Sequence, residues 1–244
     1  NSVDGTDGSI VKVTPGFGIT DNANVPTSGG LTAIAYDGTY IWASGQASKI
    51  VRITPATPGI GQVITPTGGV LSYFHWDGFY LYVTISSAQT IAKADTSTGV
   101  PVPFPPVTLP ATAKPYGITS GGGFIWVAEI DIAVNQHYIN KINPNGAGAP
   151  IAVSRIATPG IGPGPIGEVI IPTFDTVNNF LWVPNPASNV VYKYDVALTL
   201  QATVTVGNAP VNVYYFNGNV YVANFSDDTI SIIDTATDTV TATI

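Results

Sequence analysis

The chain has no cysteine and no methionine, and its 244 residues include only eight Lys or Arg, fifteen Asp or Glu and two His. Without cysteine there is neither a disulfide framework nor a thiolate metal site. Eight cations against a net charge of −7 do not suit a chain that tracks a phosphate backbone, so no nucleic-acid partner is expected. Charged residues make up 9%, far below the roughly 25% of an average soluble protein. No apolar run approaches the roughly 18 residues of a membrane span, and none is expected. No Ser-His-Asp order, phosphate-binding loop, dinucleotide fingerprint or zinc spacing occurs, so no cofactor is expected. The opening Asn1-Ser2 leads us to expect a processed chain or a fragment, any signal peptide already removed.

What is present is apolar residue, 45% of the chain, punctuated by 26 Gly and 20 Pro scattered between strand-like runs. That distribution marks turns rather than disorder. Few lysines, many Thr, Asn, Gly and Pro, and an acidic balance point to an extracellular, cell-surface or virion-surface setting.

The most regular stretch is PVNVYYFNGNVYVANFSDDTISIIDTATDTVTATI, residues 210–244. It reads as four short strands with three turns, the first an Asn217-Gly218 hairpin. Its second strand recurs as YIWAS (40–44), YLYVT (80–84), FIWVA (124–128) and FLWVP (180–184). Its third recurs as KIVRIT, TIAKAD, YINKIN and VVYKYD, starting at Lys49, Thr90, Tyr138 and Val190, with a front copy, SIVKVT, at 9–14. First strands fall at 32–36, 72–76, 116–119, 169–174 and 211–216, each followed by a turn rich in Gly, Asn or Asp. Four antiparallel strands in about forty residues, repeated, make propeller blades. The expected fold is therefore all-β: a β-propeller of four-stranded antiparallel blades in one domain. Blades are expected at 31–69, 70–114, 115–166, 167–208 and 209–244, with an N-terminal half-blade at 1–30.

The half-blade raises a question about closure. Its missing first and second strands would have to follow Ile244, and an open ring leaves an unpaired edge. Three outcomes are expected: a fragment of a longer chain, a half-blade completed by another protomer, or a five-bladed ring with an added N-terminal hairpin.

VYVANFSDDTISIIDTATDTVTATI (220–244) resembles the YVTN-type propeller repeat of archaeal and bacterial surface proteins, a match that weakens in the other blades. PYGITSGGGFIWVAE (115–129) with YINKINPNG (138–146) resembles the repeat of the streptogramin-lyase family, also a propeller. The second resemblance implies a divalent metal held by His and Glu near the axial opening. Glu129 stands where that family's repeats often carry Glu, but the His-rich motif is missing.

The candidate residues follow. Third strands carry Lys12, Arg52, Lys93, Lys141 and Lys193 at one position, and Ile232 in the last copy. Their stems are expected to pack along an outer strand while the amines reach solvent. The aromatics Trp42, Tyr82, Trp126, Trp182 and Tyr221 form a second column, expected to pack between blades. For catalysis the nearest thing to an acid–base cluster is Glu129, Asp131 and His137, expected on a solvated loop at 130–136, with Glu168 close by. His75 is expected to be a half-buried structural histidine. For metal, Asp227 and Asp228 and the VDGTDG turn with Asp4 and Asp7 offer oxygen ligands. Asn224-Phe225-Ser226 is a glycosylation sequon in a loop. The expectation is no catalytic set and no metal set. The expected role is instead non-catalytic: adhesion, receptor binding or assembly. Its binding face would carry Gln46, Glu129, Asp131, His137, Asn185 and Asn224, facing a protein or glycan surface or other copies of the chain. The rival reading is a lyase of the streptogramin-lyase type, with Glu129 and His137 as its acid–base pair.

Overall fold

The computed structural model describes residues 8–13, 19–25, 31–45, 49–54, 60–64, 69–98, 101–102, 109–134, 136–144, 154–157 and 170–244. Of the residues singled out above, Asp4, Asp7, Gln46 and Glu168 lie outside these. By compactness the chain divides into two units, 1–104 and 105–244.

The first unit holds a two-stranded sheet and two four-stranded sheets. β1 (Gly8–Val13) pairs with β2 (Ile19–Val25). Next come β3 (Leu31–Tyr36), β4 (Ile41–Gly45), β5 (Ile50–Ile53) and β6 (Ile60–Ile64). The second blade is β7 (Leu71–Trp76), β8 (Tyr80–Ile85), β9 (Thr90–Asp95) and β10 (Pro101–Val102).

The second unit holds three four-stranded sheets. They are β11 (Ala113–Gly121), β12 (Phe124–Asp131), β13 (Gln136–Ile142) and β14 (Ser154–Ala157); β15 (Thr173–Asp175), β16 (Phe180–Asn185), β17 (Val190–Tyr194) and β18 (Leu200–Thr205); and β19 (Pro210–Phe216), β20 (Asn219–Asn224), β21 (Thr229–Asp234) and β22 (Thr239–Thr243). Every sheet is an antiparallel meander in chain order. The five repeats read from the sequence are five sheets, and the N-terminal copy is a separate hairpin.

Local chemistry explains the rhythm. Asn217 and Gly218 have φ of 49° and 80°, the two successive positive angles that a tight hairpin of favourable twist requires. Other first turns are tied by an aspartate. Asp37, Asp77 and Asp175 each accept two backbone N–H bonds from the turn they begin, the Asx geometry. Asp37 Oδ2 also accepts from Trp42 Nε1 at 2.6 Å, which locks the ring of the second strand to the turn before it.

Second strands are buried on both faces in β8, β12 and β16, which is why they read as nearly continuous apolar runs. Three members of the aromatic column, Trp42, Trp126 and Trp182, pack between blades, as expected. Trp42 lies against Leu71, Phe74 and Leu81 of the following blade. Trp126 stacks on Phe174 with ring centroids 6.0 Å apart, and Trp182 joins Val213, Val220 and Val222. Innermost strands are knitted by backbone bonds: Ile171 N donates to Val211 O at 2.9 Å and Val213 N to Ile171 O at 3.2 Å. Gly117 permits a similar approach one blade earlier, because a Cβ there would stand 2.2 Å from Ile170 O.

The expected solvated amines are corrected in part: Lys193 is buried, Arg52, Lys93 and Lys141 are half-buried, and the Lys12 side chain lies outside what is described. Trp42, Tyr82, Trp126 and Trp182 stand directly across the ladder from Arg52, Lys93, Lys141 and Lys193. Each cation lies over two rings of its partner strand. The nearer ring is Tyr40, Tyr80, Phe124 or Phe180, at 4.4, 3.6, 3.9 and 4.2 Å, and the farther is the column aromatic, at 5.2 to 5.9 Å. A cation over an aromatic face gains from the ring quadrupole, more so when desolvated. In two blades the following blade supplies an acceptor as well: Lys141 Nζ donates to Val196 O, and Lys193 Nζ to Asp238 Oδ1 at 2.7 Å.

Candidate functional site

The binding-face and metal candidates that the structure describes lie in the second unit, at the strand two to strand three ends of its blades. Glu129, Asn185 and Asn224 each stand three positions after the column aromatic. They are 1%, 0% and 1% exposed, and Asp131 and His137 are also buried. A solvated loop is therefore not what carries them. β12 runs through Asp131 and β13 begins at Gln136, so both ends of the expected loop are strand and the turn is confined to its middle. The reason is that backbone pairing continues: Asp131 still pairs with Gln136.

Register then separates the suspected acid–base pair. Glu129 stands opposite Tyr138, and His137 opposite Ile130. Side chains alternate along a strand, so Glu129 and Asp131 point to one face of the sheet and His137 to the other. Burial pushes the His137 imidazole down to about 4, keeping it neutral near pH 7. His75, half-buried beside Trp76, is likewise pushed down to about 4 by burial, with Asp77 opposing.

The polar groups at these strand ends serve the turns. Asn185 Oδ1 accepts from Ala187 N and Ser188 N, while its amide donates to the Tyr192 hydroxyl at 3.1 Å. The Asn224 amide donates to Thr229 Oγ1 at 3.0 Å and Ser231 Oγ at 2.9 Å. This buried amide is no open sequon, because its nitrogen is committed inside the fold. Asp131 Oδ1 accepts from Ala133 N at 3.1 Å.

Asp227 is exposed but engaged. Its two oxygens accept from the Asn208 backbone and side-chain N–H groups, both at 2.7 Å. Those bonds hold its carboxyl below the usual aspartate range. Asp228 follows in a turn with φ of 54°. Among the described residues no group of three His, Cys, Asp or Glu is placed to hold a metal ion. A shallow cleft of about 570 Å³ opens beside Asp227, lined by Thr205, Gly207, Thr229, Ser231 and Thr243.

What the sequence reading missed is what these caps display. The turn held by Asp131 exposes Ile132 and Val134, and the turn after Asn224 exposes Phe225. Phe225 N donates to Ala209 O at 2.9 Å and Ser226 N to Asn208 O at 3.2 Å, so the Phe225 turn is fastened to the preceding linker. The available signal was the apolar residue directly after a strand-ending Asp or Asn.

No family model matches the chain, and no curated protein matches it. Solved structures do. The chain is similar to one in the crystal structure of a nidogen/laminin complex, at 14% identity and a TM-score of 0.65, over 97% of this chain and 89% of that one. It is similar to a protein of unknown function from Bacteroides caccae, at 14% identity and a TM-score of 0.63, over 84% and 72% of the two chains. Streptogramin B lyase is similar at 19% identity and a TM-score of 0.69, over 88% and 68%. With the five four-stranded sheets, these likenesses define a β-propeller. Identities this low carry the fold and leave function to the site. No helix among the described residues is long and apolar enough to cross a membrane.

Proposed function

We propose that this chain is a non-catalytic, extracellular or particle-surface β-propeller of YVTN-like repeats, acting in adhesion, receptor binding or assembly. The observation that carries the reading is the pairing of buried caps with apolar tips. Asp131 and Asn224 hold turns whose outward residues are Ile132, Val134 and Phe225. Held apolar tips suit contact with another protein because little ordering entropy is lost on binding. The partner is then a protein surface, met by the turn tips above Asp131, Asn185 and Asn224 rather than by those buried groups.

The lyase reading needs an acid and a base within reach of one substrate. Glu129 and His137, buried on opposite faces of one sheet, do not offer that pair. Incubating the chain with Mg²⁺ and a lactone, followed by mass spectrometry, tests it. Intact lactone is expected. Ring opening that disappears in Glu129→Gln would overturn the non-catalytic reading. For binding, Phe225→Ser is expected to weaken retention on intact cells or purified surface protein, while leaving the melting curve unchanged.

A further inference from the structure

The cleft beside Asp227 lies wholly within the second unit, between its last two sheets. Its floor is the face of the last sheet that looks towards the preceding one. Ile233 and Val222 pack on that side against Val191 and Val204. Ser231 alternates with Ile233 onto the same face and stands opposite Val222, and Asn224 stands opposite Thr229 one step further on. The rim is the linker from β18 to β19, with Val206 and Gly207, and Val240 of β22 completes the wall.

The linker is held from both sides. Asn208 binds both oxygens of Asp227 through its backbone and side-chain N–H groups. Asn189, in the turn between β16 and β17, donates to Asn208 Oδ1 at 2.9 Å and accepts from Ala209 N at 3.0 Å. Gly207 sits so close to the floor that a Cβ there would stand 2.6 Å from Asn224 Nδ2 and 2.8 Å from Asp227 Oδ2. A cleft braced in this way keeps its shape when empty, so little ordering entropy is lost when it fills.

Its polar groups are not used up by the fold. Thr229 Oγ1 and Ser231 Oγ each accept from the Asn224 amide, which leaves each hydroxyl an O–H to donate. Asn224 Oδ1 is buried, and no described residue donates to it; such a deficit in a native fold asks for a donor from outside the protein. A carboxylate has about four lone-pair sites, and Asn208 takes two of those on Asp227. Donors, acceptors and two valines therefore share one space. Calcium would want several anionic oxygens, and Asp227 is the sole carboxylate of the lining. An anion would be repelled by that same carboxylate. A neutral ring whose hydroxyls both give and take hydrogen bonds, and whose C–H groups can lie on Val206 and Val240, satisfies every part.

We propose that this cleft is a saccharide site, taking a pyranose unit of a glycan. Asp227 accepts from the sugar hydroxyls, and Thr229 and Ser231 donate to its oxygens. The volume of about 570 Å³ falls within the roughly 300–1,000 Å³ of small-molecule sites. The assignment stands apart from the proposed turn-tip contact, which uses Ile132, Val134 and Phe225.

Methyl glycosides of glucose, galactose, mannose and N-acetylglucosamine, each added to the isotope-labelled full chain up to about 50 mM and followed by amide NMR, test it in the weak range expected of a small ligand with few contacts. The expected result is a saturable shift of the Gly207 and Asn208 amide signals with at least one glycoside. Asp227→Asn, Ser231→Ala and the milder rim variant Thr229→Val are each expected to raise the dissociation constant at least about fivefold, as for a lost hydrogen bond. Phe79→Ser, at an exposed turn of the first unit, is expected to leave it unchanged. A dispersed amide spectrum for each variant separates lost binding from misfolding. No saturable shift with any of these glycosides overturns the proposal. So does binding that the three cleft variants leave intact, or a saturable shift of the same amides by calcium chloride alone, which would make the cleft a cation site.

Discussion

Strands β16 and β20 occupy the same place in consecutive blades and read alike, FLWVPN against NVYVAN. In β16 five consecutive residues are buried, whereas β20 alternates between buried and open positions. Trp182 is fully enclosed between Lys193 on its own sheet and the Val213, Val220 and Val222 cluster of the next. Tyr221, its counterpart, is covered on one side only by its own sheet and faces Ile232 across the ladder. The teaching is that a repeat position has no fixed energy. The same aromatic column is fully buried and capped by a cation in β16, and only partly buried, facing Ile232, in β20.

Truncation gives the largest contrast. Trp182→Ala is expected to cost about 3–5 kcal/mol, the range for emptying a packed aromatic site. Tyr221→Ala is expected to cost about 1 kcal/mol or less for the isolated chain, because there is less burial to lose. Urea midpoints at constant slope would measure both. Equal costs would mean that the face of β20 is covered in solution.

The cation position sharpens the comparison at smaller scale. Lys193→Ala removes a buried ammonium from the Phe180 and Trp182 rings and leaves Asp238 without its 2.7 Å partner. A loss of about 2–3 kcal/mol is expected, as for a charged hydrogen bond with its ring contact. Ile232→Lys, at the same position one blade later, is expected to stay within about 0.5 kcal/mol because its side chain can extend into water.

Acid separates the blades by a different group. His137 and His75 titrate at about 4 in the fold, against 6.5 for an ordinary imidazole. The unfolded chain therefore takes up these protons first. Stability is present above pH 6.5 and is lost as pH falls towards 4, by about 1–3 kcal/mol for each histidine at most. His137→Phe is expected to flatten that slope by roughly half, read from melting temperatures across the same window. The fifth blade has no histidine, so no part of this slope is expected to come from its own side chains.

The strand rhythm was legible because its causes are local. Asn217-Gly218 sets its own hairpin, and Asp37, Asp77 and Asp175 tie their own turns within a few residues. The candidate site was legible as a repeat position and misleading as a surface. Glu129, Asn185 and Asn224 are polar, which suggests solvent, yet each sits where the strand continues into a packed end. Nothing within the segment 129–137 says that β12 extends through Asp131, since that depends on pairing with Gln136.

Taken alone, the sequence determined the five repeats that are four-stranded sheets among the described residues, the turns between strands, and two columns, one aromatic and one cationic. Those follow from periodicity and turn chemistry, which act over a handful of residues. Only the tertiary structure decided that the two columns are one device, with Arg52, Lys93, Lys141 and Lys193 laid over the rings opposite them. It also decided that Glu129 and His137 point apart, and that Tyr214, Tyr221 and Ile232 share one face of the last sheet. Each of these depends on register and on the neighbouring sheet. A shift of one residue in pairing exchanges the two faces of a strand, and only the assembled blades select between them.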